Sequence, residues 1–281
     1  MPENLKVAVV TGSSSGIGLA TALELARNGY FTYATVRNPA KSGTIKEAAK
    51  KEKLAIEVVQ LDVTDDNSIK RAVKHILDEK GRIDVLVNNA GYGLAGAFED
   101  SSMEEIEKQY NTNLFGLIRT TQAVLPAMRR QKSGIIVNIG SAGEKVGYPG
   151  ASVYVSTKHA IEGLSESLAY EVEPFGIKIR VIEPGVIKTN FGEGMVLAKK
   201  AQDPNSPYLP MIQKMNGNWQ HMLENGSASE LVAKVVLEAI TSTKDTLRYT
   251  AGQDVEGWLQ ARKSMSESEF FGMIKQNLLG S

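Results

Sequence analysis

Short apolar, β-branched runs alternate with amphipathic stretches through the first two-thirds of this 281-residue chain. The runs are LKVAVVT (5–11), YFTYATV (30–36), AIEVVQLD (55–62), IDVLVNN (83–89), GIIVNIGS (134–141) and IKIRVIEP (177–184), and LRYTAG (247–252) reads as one further strand. Helical periodicity fills 16–28, 64–80, 102–130 and 151–173, with Ser102 and Glu105 at capping-box spacing. Several runs are apolar nearly throughout, as strands must be when helices cover both faces of a parallel sheet. The pattern predicts right-handed βαβ units in one doubly wound α/β domain, with a central parallel sheet of about seven strands.

Composition narrows the function classes. Lys plus Arg and Asp plus Glu are equal at 32 each, so no net field favours nucleic acid or an anionic membrane. Cysteine is absent from the sequence, which removes disulfides, thiol nucleophiles and thiolate metal sites. His75, His159 and His221 are scattered, so no metal site is expected; His159 falls with Glu162 and Glu166 on the expected wet face of its helix. Lys50-Lys51-Glu52-Lys53 reads as a solvated helix end. The start, MPENLKVAVV, has neither a basic region nor a long apolar run, and no stretch approaches the ~20 apolar residues that span a bilayer. The expectation is a cytoplasmic protein without a membrane or nucleic-acid partner.

VVTGSSSGIGLA follows the first strand and opens the first helix. Gly12, Gly16 and Gly18 let the backbone turn sharply and approach a ligand, while the helix start directs free N–H groups and a positive dipole end at an anion. Three residues separate the first two glycines, unlike the usual G-x-G-x-x-G spacing. The second strand ends YATVRN, with Val36 where a carboxylate would hold a ribose 2′-hydroxyl, and Arg37 follows it. A guanidinium there suits a 2′-phosphate, which places NADP(H) ahead of NAD(H).

Tyr154 and Lys158 stand four residues apart on a helix face that continues through Ile161 and Leu168. A lysine on an apolar face needs a partner for its charge, and a nearby cation favours the phenolate over the phenol. The pair alone fits equally a catalytic dyad and a lysine passing a buried tyrosine. Ser141 lies at the end of a predicted strand, where open α/β sheets place their ligand crevice. Asn113 falls on the buried face of its helix with Ile106, Tyr110 and Leu117, and a buried amide needs partners, a lysine-bound water among them.

Thr11-Gly12-x-x-x-Gly16-x-Gly18, Asn88-Asn89-Ala90-Gly91, Asn113, Ser141, Tyr154-x-x-x-Lys158 and Pro184-Gly185 occur in the order and spacing of the short-chain dehydrogenase/reductase family, which the chain resembles closely over about 5–190. The resemblance implies a Rossmann-like domain in which Tyr154 is the general acid/base. Lys158 lowers its pKa and holds the nicotinamide ribose, Ser141 orients the substrate oxygen, and Asn113 positions a relay water. It also implies cofactor contacts from Gly12, Ser14, Ser15, Gly16, Ile17 and Gly18, from Asp62 and Val63 at the adenine, and from Asn89, Ala90 and Gly91 beside the nicotinamide. Pro184, Gly185, Val186 and Thr189 complete the set. The expected activity is alcohol–carbonyl interconversion with NADP(H) on a small-molecule substrate of apolar character. YATVRN, EPG and the extended tail look most like the 17β-hydroxysteroid and retinol dehydrogenase branch. A homodimer or homotetramer is expected by the same analogy. A silent dinucleotide sensor and an epimerase or dehydratase are the alternatives.

Residues 190–228 break the rhythm, with Gly, Pro and Asn among Met195, Met211, Met215, Trp219 and Met222. This reads as an irregular substrate lid. Ser227 and Glu230 have capping-box spacing for the next helix, and the tail 253–281 reads as one or two helices with Trp258, Leu259, Phe270, Phe271 and Ile274 turned to the body or a partner subunit.

Overall fold

The computed structural model describes residues 5–188 and 195–280. Its strands are β1 (Lys6–Val10), β2 (Tyr30–Val36), β3 (Ile56–Gln60), β4 (Val85–Asn88), β5 (Gly93–Ala95), β6 (Gly134–Ile139), β7 (Ile177–Pro184), β8 (Ile187–Lys188), β9 (Met195–Leu197), β10 (Ser227–Ala228) and β11 (Arg248–Ala251). The helices are α1 (Gly16–Arg27), α2 (Gly43–Glu52), α3 (Asp66–Lys80), α4 (Met103–Tyr110), α5 (Gly116–Gln131), α6 (Ser152–Val172), α7 (Leu209–Glu224), α8 (Ser229–Thr241), α9 (Gln253–Ser264) and α10 (Glu267–Leu279).

Seven strands form one parallel sheet in the order β11-β7-β6-β4-β1-β2-β3. Strand side chains alternate between its two faces. Ala8, Val10, Val85 and Val87 pack with α1, α2 and α8 through Leu25, Ile45 and Val236. Val7, Val9 and Leu86 pack on the other side with α3, α5 and α6 through Ile76, Met128 and Val172. This is a Rossmann-like fold. Strand order reverses between β1 and β4, and their carboxyl ends lead into Thr11-Gly12 and Asn89-Ala90. Ligands of open α/β sheets bind at such a point.

A buried polar ladder fixes the helices under that point. The Asn88 amide donates to Thr121 Oγ1 (2.9 Å) and Asn138 Oδ1 (3.0 Å), Thr120 Oγ1 donates to Asn88 Oδ1 (2.7 Å), and the Asn138 amide donates to Ser165 Oγ (2.9 Å). β4 and β6 thereby grip α5 and α6 through hydrogen bonds that burial makes costly to break.

Five sequence expectations change. Helix α2 was visible only as its basic end, because Ile45 is its one buried residue and no apolar stripe marks it. The 102–130 helix is interrupted by a π turn at Asn111–Phe115. Beyond residue 194, the segment read as irregular carries β9, paired with β5, and the two-face helix α7, whose Asn216, Gly217 and Asn218 disguise it. Ser227 does not cap α8. It lies in β10, paired with β8, and Ala228 precedes the helix, while Ser266 and Glu269 form a capping box on α10 instead. In the tail, Phe270 and Ile274 are buried against Val146, whereas Phe271 faces outward. No helix among the described residues is long and apolar enough to cross a membrane.

Candidate active site

A cleft of about 820 Å³ opens over the carboxyl ends of β1, β4 and β6. Its lining brings together Gly12, Ser14, Ser15, Gly16, Ile17, Arg37, Asp62, Val63, Asn89, Ala90, Gly91, Asn113, Ser141, Tyr154, Lys158, Pro184, Gly185 and Val186. These come from the ends of β1, β2, β3, β4, β6 and β7 and the loops that follow them, from the first turn of α1, from α6, and from the π turn between α4 and α5. Gly18 stands just behind the wall, and Thr189 lies outside the described residues.

The turn after β1 is built for close approach. Gly12 and Gly16 have φ of +71° and +56°, the left-handed region that glycine occupies without strain. A Cβ on Gly18 would collide with the Gly12 carbonyl oxygen and the Asn89 amide. Thr11 Oγ1 accepts the backbone N–H groups of Asn89 and Ala90, both at 3.0 Å, so the β1 and β4 loops are one unit. Ser14, Ser15, Gly16 and Ile17 present the positive end of α1 to the cleft. A diphosphate fits this cradle, and the cleft continues from it in both directions.

At one end, Arg37 is exposed on the rim with Asn38 and Lys41 beside it. The latter two escaped the sequence reading, although Lys41 is the next cation after Arg37 in the loop. Asp62 Oδ1 accepts both the N–H and the hydroxyl of Thr64 (2.9 and 2.8 Å), which shapes the turn after β3 and leaves Val63 packed against Gly116.

At the other end stand Tyr154 and Lys158, 8% and 9% exposed on adjacent turns of α6. Lys158 Nζ donates to the Ile139 carbonyl at 2.7 Å and lies 5.6 Å from the centre of the Tyr154 ring. Ser141 follows two residues after Ile139, and its Oγ accepts the Gly143 N–H at 3.1 Å. Asn113 sits in the π turn, 3% exposed. Its amide donates to the Tyr92 carbonyl (2.8 Å) and, at 3.4 Å, to Thr157 Oγ1, while its Oδ1 accepts the Tyr92 N–H at 3.1 Å. Backbone therefore supplies partners that the sequence reading sought in a water.

Tyr148 was not singled out in the sequence. It lines the cleft with Trp219 of α7, and the two rings stack at 6.3 Å with an 18° interplanar angle. Burial, with a smaller contribution from the neighbouring Tyr154, pushes the Tyr148 hydroxyl well above the ordinary tyrosine range.

Glu162 corrects the sequence reading. His159 and Glu166 are exposed as expected, but Glu162 is 9% exposed and carries ion pairs with Lys145 and Arg248. His75, expected to be isolated, hydrogen-bonds Glu57 at 2.7 Å and approaches Glu79 on the outer edge of the sheet.

The family model for short chain dehydrogenases matches residues 6–199. The chain is 37% identical over 239 residues to a 3-ketodihydrosphingosine reductase of Bacteroides thetaiotaomicron, covering 82% of this chain and 83% of the relative. It is 37% identical over 265 residues to retinol dehydrogenase 8 of Bos taurus, covering 88% and 82%. A solved structure of ElxO with NADP bound superposes with a TM-score of 0.74 at 30% identity, covering 88% of this chain and 97% of that one. The chain is an oxidoreductase that belongs to the short-chain dehydrogenase family and is similar within it to the retinol dehydrogenases.

Proposed function

We propose that the protein interconverts an alcohol and a ketone or aldehyde with NADP(H), on a substrate with an apolar body. The convergence of Tyr154, Lys158 and Ser141 at one end of a cleft whose other end is a glycine cradle carries this reading. When bound, the reduced nicotinamide supplies a hydride to the carbonyl carbon, and the oxidised form takes one back.

The remaining steps belong to side chains. Tyr154 donates its phenolic proton to the carbonyl oxygen as that oxygen gains charge, and it takes a proton from the alcohol in reverse. The Lys158 ammonium stabilises the phenolate that results, and its bond to the Ile139 carbonyl holds it in place. Ser141 donates a hydrogen bond to the same substrate oxygen. The Asn113 side chain holds the Tyr92 backbone, and in this reading the Asn113 turn positions a water that relays protons to Lys158. Arg37, with Lys41, favours a 2′-phosphate at the adenosine end. Tyr148, Trp219 and Leu223 make the wall facing the substrate apolar.

In this reading residues 5–190 form the catalytic core, 190–228 cap the substrate end, and the tail buttresses the cap within one domain. Packing of Phe270, Ile274 and Leu278 near Met222, and the Asn218 amide on the Leu278 carbonyl (3.0 Å), support it. Self-association through α4–α5 and α6 belongs to the same reading, supported by exposed Phe115 and Tyr170.

The test is NADPH oxidation against steroid, retinoid, quinone, keto-ester and short-aldehyde panels, with Tyr154→Phe alongside. Turnover by the wild type and loss of about 10²–10⁴-fold in the variant, with cofactor binding retained, is the expected result. Retained activity in Tyr154→Phe would sink the mechanism.

A further inference from the structure

Four charged groups that the reaction does not use meet beneath the catalytic end of the cleft. Lys145 Nζ donates to Glu162 Oε1 at 2.6 Å and lies 3.9 Å from Glu183 Oε1. The Arg248 guanidinium holds the same Glu162 oxygen and reaches Glu166 at 2.7 Å. Glu162 and Glu183 are 9% and 3% exposed.

The origin of these groups matters more than their number. Lys145 ends the short turn that begins at Ser141, and both its N–H and that of Val146 bond to the Ala142 carbonyl at 3.2 Å. Glu162 lies one turn beyond Lys158 and two beyond Tyr154 on the same helix. Glu183 directly precedes Pro184, Gly185 and Val186 on the cleft wall. The Ser141 turn, the Tyr154–Lys158 helix and the Pro184–Val186 wall are separate in sequence, and this cluster is where they are joined by charge. Among the described residues, Arg248 is the one member that also pairs outside the cluster, with the exposed Glu166.

We infer that Lys145 is a positioning residue. Its pair with Glu162 locks the Ser141 turn against α6, so that the Ser141 hydroxyl and the Tyr154 phenol address one substrate oxygen. This rests on the proposed alcohol–carbonyl chemistry. Removing the ammonium leaves Arg248 on Glu162, so α6 and β11 stay joined and only the Ser141 turn is released. Misplacement of a reacting group by about 1 Å costs up to roughly 10²-fold in rate.

The test compares Lys145→Met, Lys145→Arg, Glu162→Gln and the double variant Lys145→Met/Glu162→Gln in the full chain. Lys145→Met should lower kcat about 10- to 100-fold while leaving the NADPH dissociation constant within about threefold. Lys145→Arg should restore most of the loss, and the double variant should be no worse than its worse parent, as for one shared interaction. Backbone hydrogen exchange in Lys145→Met should quicken in peptides covering 140–150 and not in β1 or β4. A kcat within twofold of wild type, an arginine variant as poor as methionine, or faster exchange throughout the sheet would each overturn the proposal. If the wild type turns over no carbonyl in the panel, the functional reading fails and the exchange arm still decides: unchanged exchange at 140–150 refutes the lock.

Discussion

The side-chain amide of Asn89 and the bare Cα of Gly18 share one space. The amide donates to the carbonyl oxygens of Thr11 (2.8 Å) and Gly12 (3.2 Å), and a Cβ on Gly18 would run into it. A glycine on α1 thus lets a β4-loop side chain brace the phosphate turn from behind.

Gly18→Ala should therefore weaken fold and cofactor site together. Overpacking at a site bounded by backbone costs about 1–3 kcal/mol. Thermal melts should show a lower Tm, and an NADPH titration a weaker dissociation constant. An unchanged affinity would mean that the brace does not govern the cradle.

Among the described residues Arg37 pairs with no carboxylate, and it stands on the cleft rim, so its guanidinium is available to a 2′-phosphate. Charge-assisted hydrogen bonds contribute roughly 1.5–3 kcal/mol. Arg37→Asp should shift the NADPH-to-NADH ratio of kcat/KM by at least about tenfold towards NADH. A ratio that does not move removes the 2′-phosphate argument, and Lys41→Ala then tests the neighbouring cation.

Trp219 lines the cleft while stacked on Tyr148. Loss of a buried aromatic contact is worth roughly 1.5–3 kcal/mol. Trp219→Ala should raise KM for bulky apolar substrates about tenfold or more and leave short aldehydes nearly unaffected. Equal effects on both would place Trp219 outside the substrate site.

Glu183 supplies a pH signature. Burial raises its carboxyl above the ordinary value, the nearby Lys145 charge offsetting only part of this and Glu162 adding to it. An acid raised in the folded state ionises first in the unfolded chain, so folding loses ground as pH climbs through the ordinary carboxylate range. The loss is complete above the folded-state pKa. Glu183→Gln removes it, and should raise Tm at neutral pH by about 2–4 °C for each kcal/mol relieved, with the gap closing near about pH 4. A gap independent of pH would show that the carboxyl is not the cause.

Much of the molecule is legible in its sequence. The sheet strands fell within a residue or two of their predicted positions, because a strand buried on both faces must be apolar at consecutive positions. The glycine turn was legible because only glycine takes φ near +71° freely. Tyr154 and Lys158 were legible because a spacing of four settles which residues share a helix face.

What stayed hidden depends on partners distant in sequence. Helix α2 has one buried side chain, so no periodicity betrays it. Glu162 looked solvated until Lys145 and Arg248, 17 and 86 residues away, proved to enclose it. Tyr148 gained its place in the cleft wall from Trp219, on a helix masked by Asn and Gly. Local sequence determined the strands, the glycine turn and the shared Tyr154–Lys158 face of α6, since their periods and backbone demands are set by neighbouring residues. Tertiary structure alone decided which charges are buried and what lines the cleft, because those follow from which distant segments the sheet order brings together.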